Sequence, residues 1–424
     1  IDLDTLRYDG LLKKEEYESE DWGDNPALVD YEKLYFHRET VLRIAHSRFA
    51  EKDELEEFCR DNAFWLDNYA LYMALKSTQN QRSWLEWEPE LRLGDAVRVE
   101  QSRKLLSSEI EFHSFVQYEF FKQWKKLHLY ANNNNVQIIG DIPIYVSLDS
   151  ADIWANKEMF QLDDNAVPTE VAGCPPDSFS HDGQLWGNPI YNWDRMAKDG
   201  YKWWKRRIQA NFNLYDVLRI DHFRGLESYY AVSYGEPTAR NGRWRPGPGM
   251  HFISALKDTM PDARIIAEDL GFRTDEVRAL LKGSGFPGMK VLQFAFDTRE
   301  AGDYSPYNYG INDIVFTGTH DNDTVTGWSD SAEQDDIAHA MDYLNICDKR
   351  DLPDALVRLA MQSPAALAIV PLQDWLELGS ETRINTPATI GGNNWRWRVD
   401  KSQLAPELAE YMAHLSVLYG RSAP

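Results

Sequence analysis

Cysteine is scarce: Cys59, Cys174 and Cys347 are the only three in 424 residues, and they lie far apart. At least one stays unpaired, so neither a disulfide framework nor a Cys-x-x-Cys metal site can be assembled from them. Long apolar runs are missing as well. The longest, such as 365–371, are far too short to span a bilayer, and no charged stretch followed by an apolar one opens the chain. Basic residues are outnumbered, 45 Lys and Arg against 68 Asp and Glu, which leaves a formal net charge of −23. Such a surface repels phosphate backbones and anionic membranes, so nucleic acid and membrane are excluded as expected partners. No Gly-x-Gly-x-x-Gly loop follows a strand candidate, and no His-x-x-x-His pair or EF-hand spacing suggests a metal. What remains is a protein of a reducing compartment, expected in the cytoplasm.

Aromatic residues, by contrast, are plentiful at 13%, with 15 Trp. Residues 1–135 read as helix and loop. The clearest helix is 109–130, where Ile110, Phe112, Phe115, Val116, Phe120, Trp124 and Leu127 form an apolar stripe that stops at the run of Asn132 to Asn135. The rhythm then changes to short apolar runs at 136–146, 217–223, 264–269, 290–296, 313–320 and 366–375, separated by helical segments. Near-continuous apolarity is what parallel strands covered on both faces require, and the βα series points to an α/β fold of the (β/α)₈ TIM barrel type with helical insertions. The stretch 156–193, with Pro168, Pro175, Pro176, Gly183, Gly187 and Pro189, reads as a lid or binding loop.

Three of these runs end on acids: Asp221 in Arg-Ile-Asp-His-Phe-Arg, Glu268 in Ala-Glu-Asp-Leu-Gly, and Asp321 in Thr-His-Asp-Asn-Asp. In a barrel, strand C-terminal ends share one mouth. Two carboxyl groups flanking one reacting centre suit glycosidic bond cleavage, one as nucleophile and one as proton donor, and a third can hold sugar hydroxyls. Arg219 shares a strand face with Asp221 and is placed to donate a charge-assisted hydrogen bond to it.

The ordered set of Gly140-Asp-Ile-Pro-Ile-Tyr-Val146, Pro176-Asp-Ser-Phe-Ser180, Gly183-Gln-Leu-Trp-Gly-Asn-Pro-Ile-Tyr191, Arg219-Ile-Asp-His-Phe-Arg-Gly225, Ala267-Glu-Asp-Leu-Gly271, Thr317-Gly-Thr-His-Asp-Asn-Asp323, Arg383-Ile-Asn-Thr-Pro387 and Asn394-Trp-Arg-Trp-Arg398 covers nearly the whole chain. It resembles the 4-α-glucanotransferase family, the amylomaltases or disproportionating enzymes of the α-amylase clan. The resemblance implies a retaining transferase of α-1,4-glucan segments, acting on maltooligosaccharides without metal or organic cofactor. It assigns Asp221 as nucleophile, Glu268 as general acid/base and Asp321 as transition-state stabiliser. It further implies that Arg219, His320, Asp141, Asp177 and Asn385 bind substrate, that Gln184 and Trp186 face the acceptor, and that Phe179 shields the intermediate. His222, Asp269 and Asp323 are expected to support these residues from behind, while Trp84, Trp87, Trp124, Trp395 and Trp397 are expected in structural roles.

Two alternatives stay open on the residues alone: an α-glucan hydrolase with the same three acids, and a catalytically silent glucan-binding protein. The expected organisation is a mainly helical subdomain over 1–135 and a catalytic barrel over 136–424, with its lid at 156–193. The resemblance identifies the six strand candidates as the third to eighth of the barrel and implies that the first two strands precede Ile1, by roughly seventy residues on the family pattern; the sheet is then expected to be open near Gly140 and Ile369.

Overall fold

The computed structural model of the chain describes residues 1–176, 181–271, 273–299, 302 and 304–422. Among these residues the chain forms β1 (Ile139–Pro143), β2 (Glu170–Cys174), β3 (Gln184–Pro189), β4 (Val217–Asp221), β5 (Ser228–Ser233), β6 (Arg243–Pro246), β7 (Ile265–Ala267), β8 (Gly288–Val291), β9 (Asp313–Phe316) and β10 (Leu367–Ile369). Two compact units are built from them, one of Ile1–Glu20 with Arg38–Gly285 and one of Asp21–His37 with Phe286–Pro424.

The first unit holds a parallel sheet in the order β1-β4-β7 and an antiparallel sheet in the order β3-β2-β5-β6. Both faces of β4 are covered: Leu218 and Ile220 are fully buried, and Arg219 is buried on the opposite face. β1 approaches closely enough that a Cβ on Gly140 would lie 2.0 Å from the Tyr215 ring, so only glycine fits there. Ahead of this sheet the helices Lys52–Thr78 and Ser107–Asn133 pack together, with Phe58 against Phe121 at 5.5 Å between ring centroids. The helix expected at 109–130 is thus present and slightly longer. Its stripe divides: Phe112 and Phe115 are buried, whereas Phe120 and Leu127 are exposed. A second aromatic core joins Tyr191, Trp193, Trp204 and Phe252, with Trp193 stacked on Trp204 at 6.2 Å and 20°.

The second unit carries the parallel sheet β8-β9-β10. Here all three apolar runs form shorter strands than expected, and two of them turn into helices. The run 290–296 predicts one strand, but the chain leaves it at Val291 and turns into the helix Leu292–Ala295; the run 366–375 similarly passes from β10 into the helix Leu372–Trp375. The first of these runs is buried almost throughout, and such a run has no periodicity to separate strand from helix. Among the described residues β1 pairs only with β4 and β10 only with β9, and these end strands leave Ile139 and Leu367 each 38% exposed.

The stretch 156–193 departs from its loop reading, because β2 and β3 lie within it and pair antiparallel. Its prolines sit just outside or at the last position of these strands, where a missing N–H costs no ladder bond. Among the described residues no helix is long and apolar enough to cross a membrane.

Candidate active site

Parallel pairing places Asp141 of β1 directly opposite Arg219 of β4, and the two-residue repeat of the strand puts Asp221 on the same face as Arg219. The guanidinium spans both acids: Nη1 donates to Asp141 Oδ2 at 2.6 Å and Nη2 to Asp221 Oδ1 at 2.9 Å. Arg219 is only 8% exposed, so this fork is held in a poorly solvated setting where its bonds are strong.

Glu268 follows β7 immediately. The ladder continues past the strand, with Glu268 N–H donating to Ile220 O at 3.0 Å and Phe223 N–H to Glu268 O at 2.9 Å. Its carboxyl accepts the N–H of His222 on Oε2 at 2.7 Å and that of Leu270 on Oε1 at 2.9 Å. Burial, and then the negative charge of Asp221, push this carboxyl up to about 8, against the opposing pull of Arg219 and the two peptide N–H groups. A carboxyl of this kind keeps its proton at neutral pH and has it to give.

On β3, Trp186 donates its Nε1–H to Gln184 Oε1 at 3.1 Å, and its ring stands edge-on to His222 at 4.8 Å. Tyr145, buried after β1, is stacked on Tyr191 at 5.9 Å and lies 6.3 Å from Trp186. Asp269, beside the acid, is buried and ion-paired with Arg273 at 2.8 Å.

In the second unit Asp321 lies in the turn after β9. Its Oδ1 accepts Asn385 Nδ2 at 2.6 Å, Arg383 Nη2 donates to its backbone oxygen at 2.7 Å, and His320 Nε2 lies 3.4 Å from Oδ2. Behind this turn, buried Asp374 accepts Thr317 Oγ1 at 2.5 Å and Val325 N–H at 2.8 Å, and burial pushes its carboxyl up to about 6. Asp323 accepts Thr324 N–H and Ser380 Oγ, both at 2.8 Å.

The structure therefore brings Asp141, Arg219, Asp221 and Glu268 together on one sheet, with Gln184 and Trp186 in the same unit, and separately gathers His320, Asp321 and Asn385. Asp177 and Phe179 lie outside the described residues. Trp84 and Trp87 are buried as expected, but Trp395 is 52% exposed with its ring 5.2 Å from that of His320. Tyr145, Arg383 and Asp374 join these networks without a signal of their own in the sequence, although Tyr145 and Arg383 stand inside the motifs 140–146 and 383–387.

A sequence model of the family described as 4-alpha-glucanotransferase matches residues 1–403. The chain belongs to this family. It is 43% identical over 425 residues to the 4-alpha-glucanotransferase of Clostridium butyricum, covering 99% of this chain and 87% of that one. To the 4-alpha-glucanotransferase of Streptococcus pneumoniae it is 44% identical over 429 residues, covering 99% and 84%. Among solved structures, the amylomaltase from Streptococcus agalactiae in complex with acarbose superposes with a TM-score of 0.96 at 36% identity, over 100% of this chain and 86% of that one. The amylomaltase from Corynebacterium glutamicum, at 17% identity and a TM-score of 0.74, shares the fold. The mixed α/β architecture is thus that of an amylomaltase and the activity that of a 4-alpha-glucanotransferase, which sets aside the hydrolase and the silent binding protein.

In this 4-alpha-glucanotransferase the raised proton affinity of Glu268 has a measurable cost. A carboxyl held near 8 in the folded state and near 4.5 in the unfolded chain binds its proton more tightly when folded. The stability this contributes is complete below the unfolded value and is lost as pH rises through the folded one. Glu268→Gln cannot titrate, so its melting temperature is expected to gain on that of the wild type as pH rises from about 5 to about 9. Parallel melting curves for the two proteins would contradict this.

Proposed function

We propose that the enzyme transfers α-1,4-glucan segments by a retaining double displacement in which Asp221 is the nucleophile, Glu268 the acid/base and Asp321 the stabiliser of the oxocarbenium-like transition state. The observation that carries this reading is the pair of adjacent strands: β4 delivers Asp221 beside the Arg219 fork, and β7 delivers Glu268 with its proton retained. In the first half-reaction Asp221 attacks C1 of the donor glucose while Glu268 protonates the departing glycosidic oxygen. Once the ester forms, the negative charge that raised Glu268's proton affinity is gone. The same carboxyl then accepts the proton of the acceptor hydroxyl as that oxygen displaces Asp221.

His320, Asp141, Asp177 and Asn385 are proposed to hold sugar hydroxyls, with Arg219 fixing two of the acids. Gln184 and Trp186 are proposed for the acceptor side, where an aromatic face suits the apolar face of glucose. The two parallel three-stranded sheets are proposed as arcs of one (β/α)₈ barrel, with residues 1–135 as its helical subdomain and the connection 156–193, β2 and β3 included, serving as its lid. The excess of acidic residues and the scarcity of cysteine favour the cytoplasm as its location.

Incubation with maltotriose tests the reading. A ladder of longer and shorter maltooligosaccharides with released glucose is expected, whereas glucose and maltose alone would mean that water takes the acceptor's place. Phe179 is proposed to keep water from the intermediate. Phe179→Ala is accordingly expected to raise hydrolysis relative to transfer several-fold, measured as new reducing ends against free glucose, and an unchanged ratio would remove Phe179 from that role.

A further inference from the structure

The loop 317–325 carries His320 and Asp321, and its own hydrogen bonds tie it into one piece. Asn322 Oδ1 accepts both the N–H and the hydroxyl of Thr319 at 2.9 Å, and Thr319 Oγ1 accepts Asp321 N–H at 3.2 Å. Where such a loop stands is decided at its two feet. Thr317, the first residue past β9, is fully buried; Val325 opens the helix Val325–Ser331, so its N–H is one of the donors that a helix cannot satisfy from within. One carboxylate takes both feet. Asp374 accepts Thr317 Oγ1 on Oδ2 at 2.5 Å and Val325 N–H on Oδ1 at 2.8 Å. With its carboxyl pushed up by burial to about 6, Asp374 is still ionised at neutral pH, and both oxygens act as acceptors. It is 2% exposed and belongs to the short helix Leu372–Trp375 after β10. Its neighbour Gln373 donates Nε2 to Thr382 O at 3.1 Å, just ahead of Arg383 and Asn385. Two adjacent side chains thus anchor both the loop that carries Asp321 and the segment that returns to hold it.

We propose that Asp374 is a positioning residue for the transfer reaction: by clasping both feet of the loop 317–325 it sets where Asp321 presents its carboxylate to the reacting sugar. This rests on the role proposed above for Asp321. Buried behind the loop, Asp374 acts through Thr317 and Val325. A group that tightens on the sugar only in the transition state must be placed closely, because a misplacement of about 1 Å can cost roughly 10²-fold in rate. Without the clasp, Asn385 and Arg383 still hold Asp321 by its Oδ1 and its backbone oxygen, so the loop keeps its fold while its feet lose their fixed point. The loss then falls on kcat and spares ground-state binding of the glucan.

The test measures kcat and KM for transfer from maltotriose in variants of the whole enzyme. Asp374→Ala is expected to lower kcat by roughly 10- to 100-fold with KM changed less than about two-fold. Asp374→Asn, whose amide can accept from Val325 N–H and donate to Thr317 Oγ1, is expected to recover most of that loss. Beside Asp321→Asn, the change Asp374→Ala is expected to lower kcat no further, because the group through which it acts is already gone. A merely structural role would repeat its full loss there. Wild-type kcat in a folded Asp374→Ala, a loss confined to KM, no recovery in Asp374→Asn, or a full further loss in the double variant each overturn the proposal. Thr317→Val frees one foot alone and keeps the question open to experiment if Asp374→Ala does not fold. It is expected to lower kcat about 5- to 10-fold at unchanged KM, again with no effect beside Asp321→Asn, and a wild-type kcat in Thr317→Val overturns the clasp. A wild-type kcat in Asp321→Asn itself overturns Asp321 as stabiliser, and this inference with it.

Discussion

Asp221→Asn is expected to leave no glycosyl-enzyme detectable by mass spectrometry after exposure to α-glucosyl fluoride, and to lower transfer from maltotriose by roughly 10⁴- to 10⁶-fold. The substitution is nearly isosteric, and the Asn side-chain carbonyl still accepts the bond that Arg219 Nη2 gives to Oδ1, while Nη1 keeps Asp141. The protein should therefore fold and melt close to the wild type. What it loses is the charged oxygen proposed to attack C1. Sugar found attached to any other residue would remove Asp221 from the role of nucleophile.

Glu268→Gln is expected to act differently on different donors. With maltotriose the leaving oxygen must be protonated, and losing the group that gives the proton should lower transfer by about 10²- to 10⁴-fold. Fluoride leaves without protonation, so the first half-reaction with α-glucosyl fluoride should be much less affected. The second half-reaction then lacks its base, and the glycosyl-enzyme should accumulate, visible as an added hexose mass on Asp221. Equal losses with both donors would show that Glu268 does not protonate the leaving group.

The residues in which chemistry was legible from sequence are those where one short segment carries both the strand and the acid. Leu218 and Ile220 announce a covered strand, and Arg219 and Asp221 necessarily share its other face, so the fork between them follows from the two-residue repeat. The partners of Asp321 were not legible in this way. Arg383 and Asn385 reach it from 62 and 64 residues away, and neither pattern nor propensity connects segments so far apart. The loop reading of 156–193 failed for a related reason. All of 170–173 is buried, so β2 shows no alternation, and the surrounding prolines dominate the composition. In 290–296 the apolar run signals burial, but burial of nearly every residue erases the difference between a strand and the helix that follows it.

The antiparallel sheet also sets an order on the synthesis of the protein. β2 and β3 come from the connection before β4, and β5 and β6 from the one after it, yet Ala172 pairs with Ala231. When β3 leaves the ribosome, β2 has only a hairpin partner, and a lone hairpin is at best marginally stable in water. The strand bearing Asp221 must be made before Tyr230–Ser233 can close the ladder. A ribosome halted between β4 and β5 would therefore hold a chain that has Asp221 but neither Glu268 nor the finished sheet on which Trp186 sits.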